Sequence, residues 1–140
     1  MKALYRTGAT ANGGRSGRVR SEDGVLDVSL AVPRELGGDG ARATNPEQLF
    51  AAGYAACFEN ALLHVAGGRK LALGDTQVTA EVGIGPRSEG GFGLTVGLEV
   101  RFAGVDQDTA DALVKAAHAT CPYSNAVRGN IEVETRIKAL

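Results

Sequence analysis

Residues 46 to 66, PEQLFAAGYAACFENALLHVA, constrain this chain more than any other stretch. Asn45 can cap a helix here, Pro46 suits its first position and Glu47 sits in the first turn, where the helix dipole favours an acid. Gly67 and Gly68 are the stop signal. Between these ends Leu49, Phe50, Tyr54, Phe58, Leu62, Leu63 and Val65, with alanines and Gly53 filling the gaps, cover most of the helix circumference. A helix that is apolar nearly all round is a buried one, so the rest of the fold is expected to wrap it with sheet or with a partner chain.

The flanking sequence supplies sheet. VLDVSLAV, residues 25 to 32, alternates Leu26, Val28, Leu30 and Val32 against a more polar set, the period of a strand with one buried face. PRELGGDGARAT then reads as an irregular loop. TQVTAEVGIG and FGLTVGLEVRF place Val78, Ala80, Val82, Ile84 and Phe92, Leu94, Val96, Leu98, Val100, Phe102 in alternation, which predicts a hairpin joined through PRSEGG. A second helix is expected from about Asp106, with Ala110, Leu113, Val114 and Ala117 on one face, ending before Pro122. PYSNAVRGN reads as a short helix stopped by Gly129, and NIEVETRIKAL as a last, half-exposed strand. Strands before, between and after helices make this an α+β chain, and 140 residues suit a single domain, 1–140.

Charge and composition exclude several function classes. Lys plus Arg number 15 against 16 Asp plus Glu, a balance that argues against general nucleic-acid binding. MKALYRTGAT lacks the apolar core of a signal peptide, and no stretch approaches the roughly 18 apolar residues of a membrane span. A cytoplasmic protein with no membrane partner is expected. With two cysteines, a secreted disulfide scaffold is a poor fit, and a reducing compartment turns such a pair toward redox work. Cys57, Cys121, His64 and His118 show no paired metal-ligand spacing, so no metal is expected. No cofactor fingerprint is present either, because GIGPRSEGGFG reads as a hairpin turn rather than a phosphate loop.

Cys57 can be read in two ways, as a small buried hydrophobe or as a reactive thiol. It lies 11 residues beyond Pro46, about 16 Å along the helix, where the dipole of the first turn does not reach. An apolar setting raises a thiol's pKa above its usual ~8.5. Lowering it to about 6 takes some 3.4 kcal/mol, and one arginine at about 4 Å contributes on the order of 4 kcal/mol at an effective dielectric of 20. Reactivity therefore needs a cation from elsewhere. Arg6, Arg15, Arg18, Arg20, Arg34 and Arg42 are candidates, and NGGRSGR places Arg15 after two glycines that allow a sharp turn and a close approach. Arg15 also reads as a solvated turn residue, and Glu47 as a plain first-turn acid. Cys121, just before Pro122, can fill the end of one helix or start the next, where it would be the more acidic thiol. His64 is too far along the helix from Cys57 for direct pairing, whereas His118 and Cys121, three residues apart, can share a face. Tyr54, Phe58 and Tyr123 read as core or pocket lining.

The segments ATANGGRSG, DGVLDVSLAVPRELGG, TNPEQLFAAGYAACF, VGIGPRSEGGFGLTVGLEV and AHATCPYSNAVRGNIEV together resemble the organic hydroperoxide resistance (Ohr) branch of the OsmC/Ohr family almost end to end. The resemblance implies antiparallel sheets packed around a long buried central helix, in an interwoven homodimer with sites at its interface. It also implies a thiol peroxidase that reduces organic, lipid-like hydroperoxides and takes part in oxidative stress resistance. By position, Cys57 corresponds to the peroxidatic cysteine, Cys121 to the resolving cysteine, Arg15 to the activating arginine and Glu47 to the carboxylate that holds it. A Cys57–Cys121 disulfide recycled by a lipoyl-type dithiol follows from the same resemblance, with no metal or bound cofactor. CFEN departs from the pattern, with Glu59 and Asn60 where the family more often carries small or apolar residues. The other readings are an OsmC-branch peroxidase, against which the position of Arg15 argues, and a silent dimeric binding module of the same fold.

Overall fold

The apolar run forms helix α1, Pro46–Gly68, and the Gln48 N–H donates to Asn45 Oδ1 at 2.9 Å, so Asn45 is its cap. In this computed structural model, which describes all 140 residues, the chain divides into two compact units, Met1–Leu49 and Phe50–Leu140.

The first unit is a meander of three short antiparallel strands, β1 (Ala9–Asn12), β2 (Arg18–Ser21) and β3 (Asp27–Ser29). Only β3 lies inside a stretch with clear alternation; ATAN and RVRS are too short and polar to announce themselves. The loop after β3 returns to it through a bridge between Leu30 and Thr44. Leu30 is the one buried apolar residue of this unit, while Leu4, Tyr5, Val25, Leu26 and Leu36 are exposed.

The second unit holds the core. Strands β4 (Gly74–Pro86) and β5 (Phe92–Ala103) form the expected hairpin, closed where the Arg87 N–H donates to the Gly91 carbonyl. Helix α2 (Gln107–Thr120) starts at Asp106, whose carboxylate accepts the Thr109 N–H at 2.8 Å, and α3 (Pro122–Val127) follows after a single residue. Strand β6 (Val133–Ala139) then pairs with β5 in parallel, from Val96↔Val133 to Phe102↔Ala139. That parallel pair corrects the expectation of antiparallel sheets throughout. The path through α2 and α3 carries the chain back to the same end of the sheet, as a parallel neighbour requires.

β5, central in the order β4-β5-β6, turns Val96, Leu98, Val100 and Phe102 inward to meet Ala110, Leu113, Val114 and Ala117 of α2. Tyr54, Phe58, Ala61, Leu62 and Ala66, recurring at three- and four-residue steps, bring one face of α1 into the same core. Burial all round α1 is not reached within one chain. Leu63 stays 46% exposed, because a sheet and one helix cover a single side. By length and composition α1 could cross a membrane, its most apolar window averaging a hydropathy of 1.3, which amends the expectation that no stretch approaches such a span. Its inward face is nevertheless that of a core helix.

Leu98 is fully buried at the middle of β5. Leu98→Ala is expected to cost about 2–5 kcal/mol of stability through lost transfer and a residual cavity. Urea unfolding followed by circular dichroism checks this; a loss below about 1 kcal/mol would place the core elsewhere.

Candidate active site

Arg15 stands in the turn between β1 and β2. Gly13 and Gly14 adopt φ of 83° and 58°, the left-handed region that glycine enters at little cost, and one tight helical turn, Gly14–Ser16, presents the arginine. Its guanidinium grips Glu47 in the first turn of α1 with two parallel bonds, Nη1 to Oε2 at 2.8 Å and Nη2 to Oε1 at 2.6 Å. Read from local sequence as separate residues, and paired only by the family resemblance, the two side chains form one bidentate pair, the strong form of this interaction. The guanidinium pulls the Glu47 carboxyl below its usual range, against a smaller opposing effect of burial.

The second constellation lies in the other unit. Cys57, half-buried on α1, and Cys121, fully buried between α2 and α3, are both free thiols with their sulfurs 3.7 Å apart, Cys121 donating. Sixty-four positions apart in sequence, they are near neighbours in the core. Burial pushes the Cys57 thiol above its ordinary value, the Tyr123 backbone N–H pulls it down, and the Cys121 thiol adds to the rise. Within this unit no cation acts on the sulfur. The Tyr123 ring lies over Gly53, one turn before Cys57, where a Cβ would come within 2.9 Å of the tyrosine oxygen. That close seat lets Phe50, Tyr54 and Tyr123 cluster with ring centroids 5.8–6.4 Å apart.

His118 does not pair with Cys121. Its Nδ1 meets Ser124 Oγ and its Nε2 meets Thr135 Oγ1, each at 3.0 Å, and its ring packs on Phe58. Ser124 Oγ also bonds the Tyr54 hydroxyl at 2.8 Å, so four side chains from α1, α2, α3 and β6 are linked. Burial, and secondarily the Arg128 charge, hold His118 below its usual pKa. This network is absent from the sequence reading, although the symmetric spacing of His118 and Ser124 about Cys121 was visible there. His64 is exposed, Glu59 half-buried and Asn60 exposed. No group of three or more His, Cys, Asp or Glu side chains gathers where it could hold a metal ion.

Residues 37–136 match the family described as OsmC-like protein. The organic hydroperoxide resistance protein of Xanthomonas axonopodis pv. citri is 54% identical over 133 residues, covering 94% of this chain and 93% of that one. The organic hydroperoxide resistance protein OhrB of Bacillus subtilis is 45% identical, with 97% and 99% covered. Among solved structures, an organic hydroperoxide resistance protein from Elizabethkingia anophelis superposes with a TM-score of 0.96 at 51% identity, over the full length of both chains.

The Arg15–Glu47 pair makes stability depend on pH. Because Glu47 is depressed in the folded state, its contribution is fully present above the ordinary carboxylate value of about 4.3 and is lost as pH falls through the lower folded value. Arg15 is 37% exposed, so screening limits the contribution to about 1 kcal/mol or less. Glu47→Gln is therefore expected to lower stability at pH 7 and to converge on the parent below about pH 4. Urea midpoints across that range measure it, and a gap that widens toward acid would contradict the assignment.

Proposed function

This chain belongs to the OsmC/Ohr family, and from that premise we propose that it is a cytoplasmic, cysteine-based peroxidase that reduces organic hydroperoxides to alcohols. The observation that carries the reading is the pair of free sulfurs 3.7 Å apart, one partly open and the other sealed. That asymmetry orders the chemistry. The Cys57 thiolate attacks the outer peroxide oxygen, the O–O bond breaks, and the alkoxide takes a proton to leave as the alcohol. Cys57 is left as a sulfenic acid. Cys121 meets only what Cys57 brings to it: its sulfur attacks the sulfenic sulfur, the S–O bond breaks, and hydroxide leaves with the thiol proton as water. An incoming dithiol of the lipoyl type then attacks the accessible Cys57 sulfur, and exchange returns both thiols while the dithiol closes into its own disulfide. Phe50 and Tyr123, seated over the buried Tyr54, offer a wall for the alkyl chain of a lipid-like substrate.

The thiolate needs a counter-charge, and Arg15 supplies it. Glu47 precedes Cys57 by ten residues on α1, about 15 Å by helical rise, so a guanidinium clamped on Glu47 serves the sulfur of a second copy. The active form is thus a homodimer. A first unit with one buried apolar residue and an α1 with an uncovered apolar side both call for such a partner.

With one equivalent of an alkyl hydroperoxide, the parent is expected to lose both free thiols rapidly, Cys121→Ser to turn over once and stop as the sulfenic acid, and Cys57→Ser to do nothing. Thiol counting by Ellman's reagent and mass spectrometry decides it. Full retention of both thiols in the parent would favour a silent binding module instead. In a Cys121→Ser background, Arg15→Ala should raise the pH midpoint of iodoacetamide labelling of Cys57 to about 8.5 or higher. A mixed dimer of one Arg15→Ala chain and one Cys57→Ser chain should label like the parent, since the remaining Cys57 faces the partner's Arg15. Labelling of that dimer like Arg15→Ala itself would place the arginine in the same chain as its sulfur.

A further inference from the structure

Cys121 is the single residue between two helices, the C-cap of α2 and the N-cap of α3, with extended φ and ψ of −66° and 121°. Where its sulfur sits depends on the angle of that corner. His118 lies three residues before the vertex and Ser124 three residues after it, and the bond between His118 Nδ1 and Ser124 Oγ closes the corner from inside. Arg128 ties it again from outside, donating to the His118 carbonyl at 2.8 Å. Ser124 is buried, and its second bond, to the hydroxyl of the fully buried Tyr54, anchors the corner to α1 one turn before Cys57. A buried serine bonded to both α1 and α2 is an expensive device for packing alone, since an apolar residue of similar size would fill the same space without needing partners.

We propose that His118 is a positioning residue for the capture step, closing the α2–α3 corner through Ser124 so that the Cys121 sulfur is held against Cys57. The proposal takes its functional meaning from the peroxidase reading. The step it serves joins the Cys57 sulfenic sulfur to the Cys121 sulfur with release of water. The oxidised form needs both sulfurs in one geometry, whereas the reduced form does not, so loosening the corner weakens the disulfide selectively. Thr135, bonded to the far nitrogen of His118, steadies the ring from β6 but lies outside the corner.

The test is the equilibrium between the Cys57–Cys121 dithiol and its disulfide in glutathione redox buffers, read by acid quench and thiol alkylation on the full-length protein. His118→Ala and Ser124→Ala are each expected to lower the equilibrium constant for disulfide formation about tenfold, as loss of one buried hydrogen bond allows. Tenfold corresponds to a potential about 30 mV less negative for this two-electron couple. His118→Asn should recover most of the loss, because its amide can still meet Ser124 Oγ, and Thr135→Val should stay within twofold of the parent. Unchanged equilibria in both alanine variants would overturn the proposal, as would an equal loss in Thr135→Val, which would mark the effect as general packing. Should His118→Ala fail to fold, Ser124→Ala decides the matter by itself. No peroxide enters the measurement: the expected pattern in a protein that leaves alkyl hydroperoxides untouched would support the clamp and reject the peroxidase reading, and the converse pair of results would do the opposite.

Discussion

A thiol placed eleven residues into an apolar helix sits where burial disfavours its charged form, and that constraint is the one its surroundings bear on. Burial on α1 raises the Cys57 pKa, and the unit that holds it offers one opposing group, the Tyr123 N–H. A single amide dipole does not supply the full charge of a cation, so under the proposed chemistry the sulfur needs a guanidinium from outside its own unit. Arg15, the guanidinium proposed for that task, is fixed in orientation by two bonds to the Glu47 carboxylate. Preorganisation of this kind matters because a free arginine side chain would lose rotamer freedom each time it met the sulfur.

The two units divide the work in keeping with their packing. The second unit buries Tyr54, Phe58, Leu62, Leu98, Phe102 and Leu113 in one core, in which Cys57 is set on α1 and Cys121 at the junction of α2 and α3. Rigid seating would suit the proposed joining of the two sulfurs without large rearrangement. The first unit carries the charged pair between its β-meander and the first turn of α1 and has almost no core of its own. Gly53 joins these themes on a small scale. Its missing side chain lets Tyr123 lie close over α1, which brings both an aromatic wall and a backbone donor to the sulfur.

Much of the fold was legible along the chain. Asn45 and Asp106 cap α1 and α2 as their positions indicated, the alternation from Val96 to Phe102 marks the inward face of β5 while Phe92 at its start stays exposed, and Pro122 separates α2 from α3. Two strands escaped notice because ATAN and RVRS owe their order to pairing rather than to any pattern of their own. The parallel placement of β6 was equally hidden, since its alternation suits either direction and only the crossover through α2 and α3 decides it.

The sequence by itself determined the elements, their caps and the chemical inventory, because these follow from neighbours within a few positions: Cys57 on an apolar helix, Arg15 in a glycine turn, Cys121 before Pro122. Only the tertiary structure decided which of these groups meet. It set the two sulfurs 3.7 Å apart across sixty-four positions, joined Arg15 to Glu47, and turned His118 away from Cys121 toward Ser124 and Thr135. Such contacts depend on how helices pack on a sheet and on where a buried polar group can find a partner, and neither is written in local periodicity.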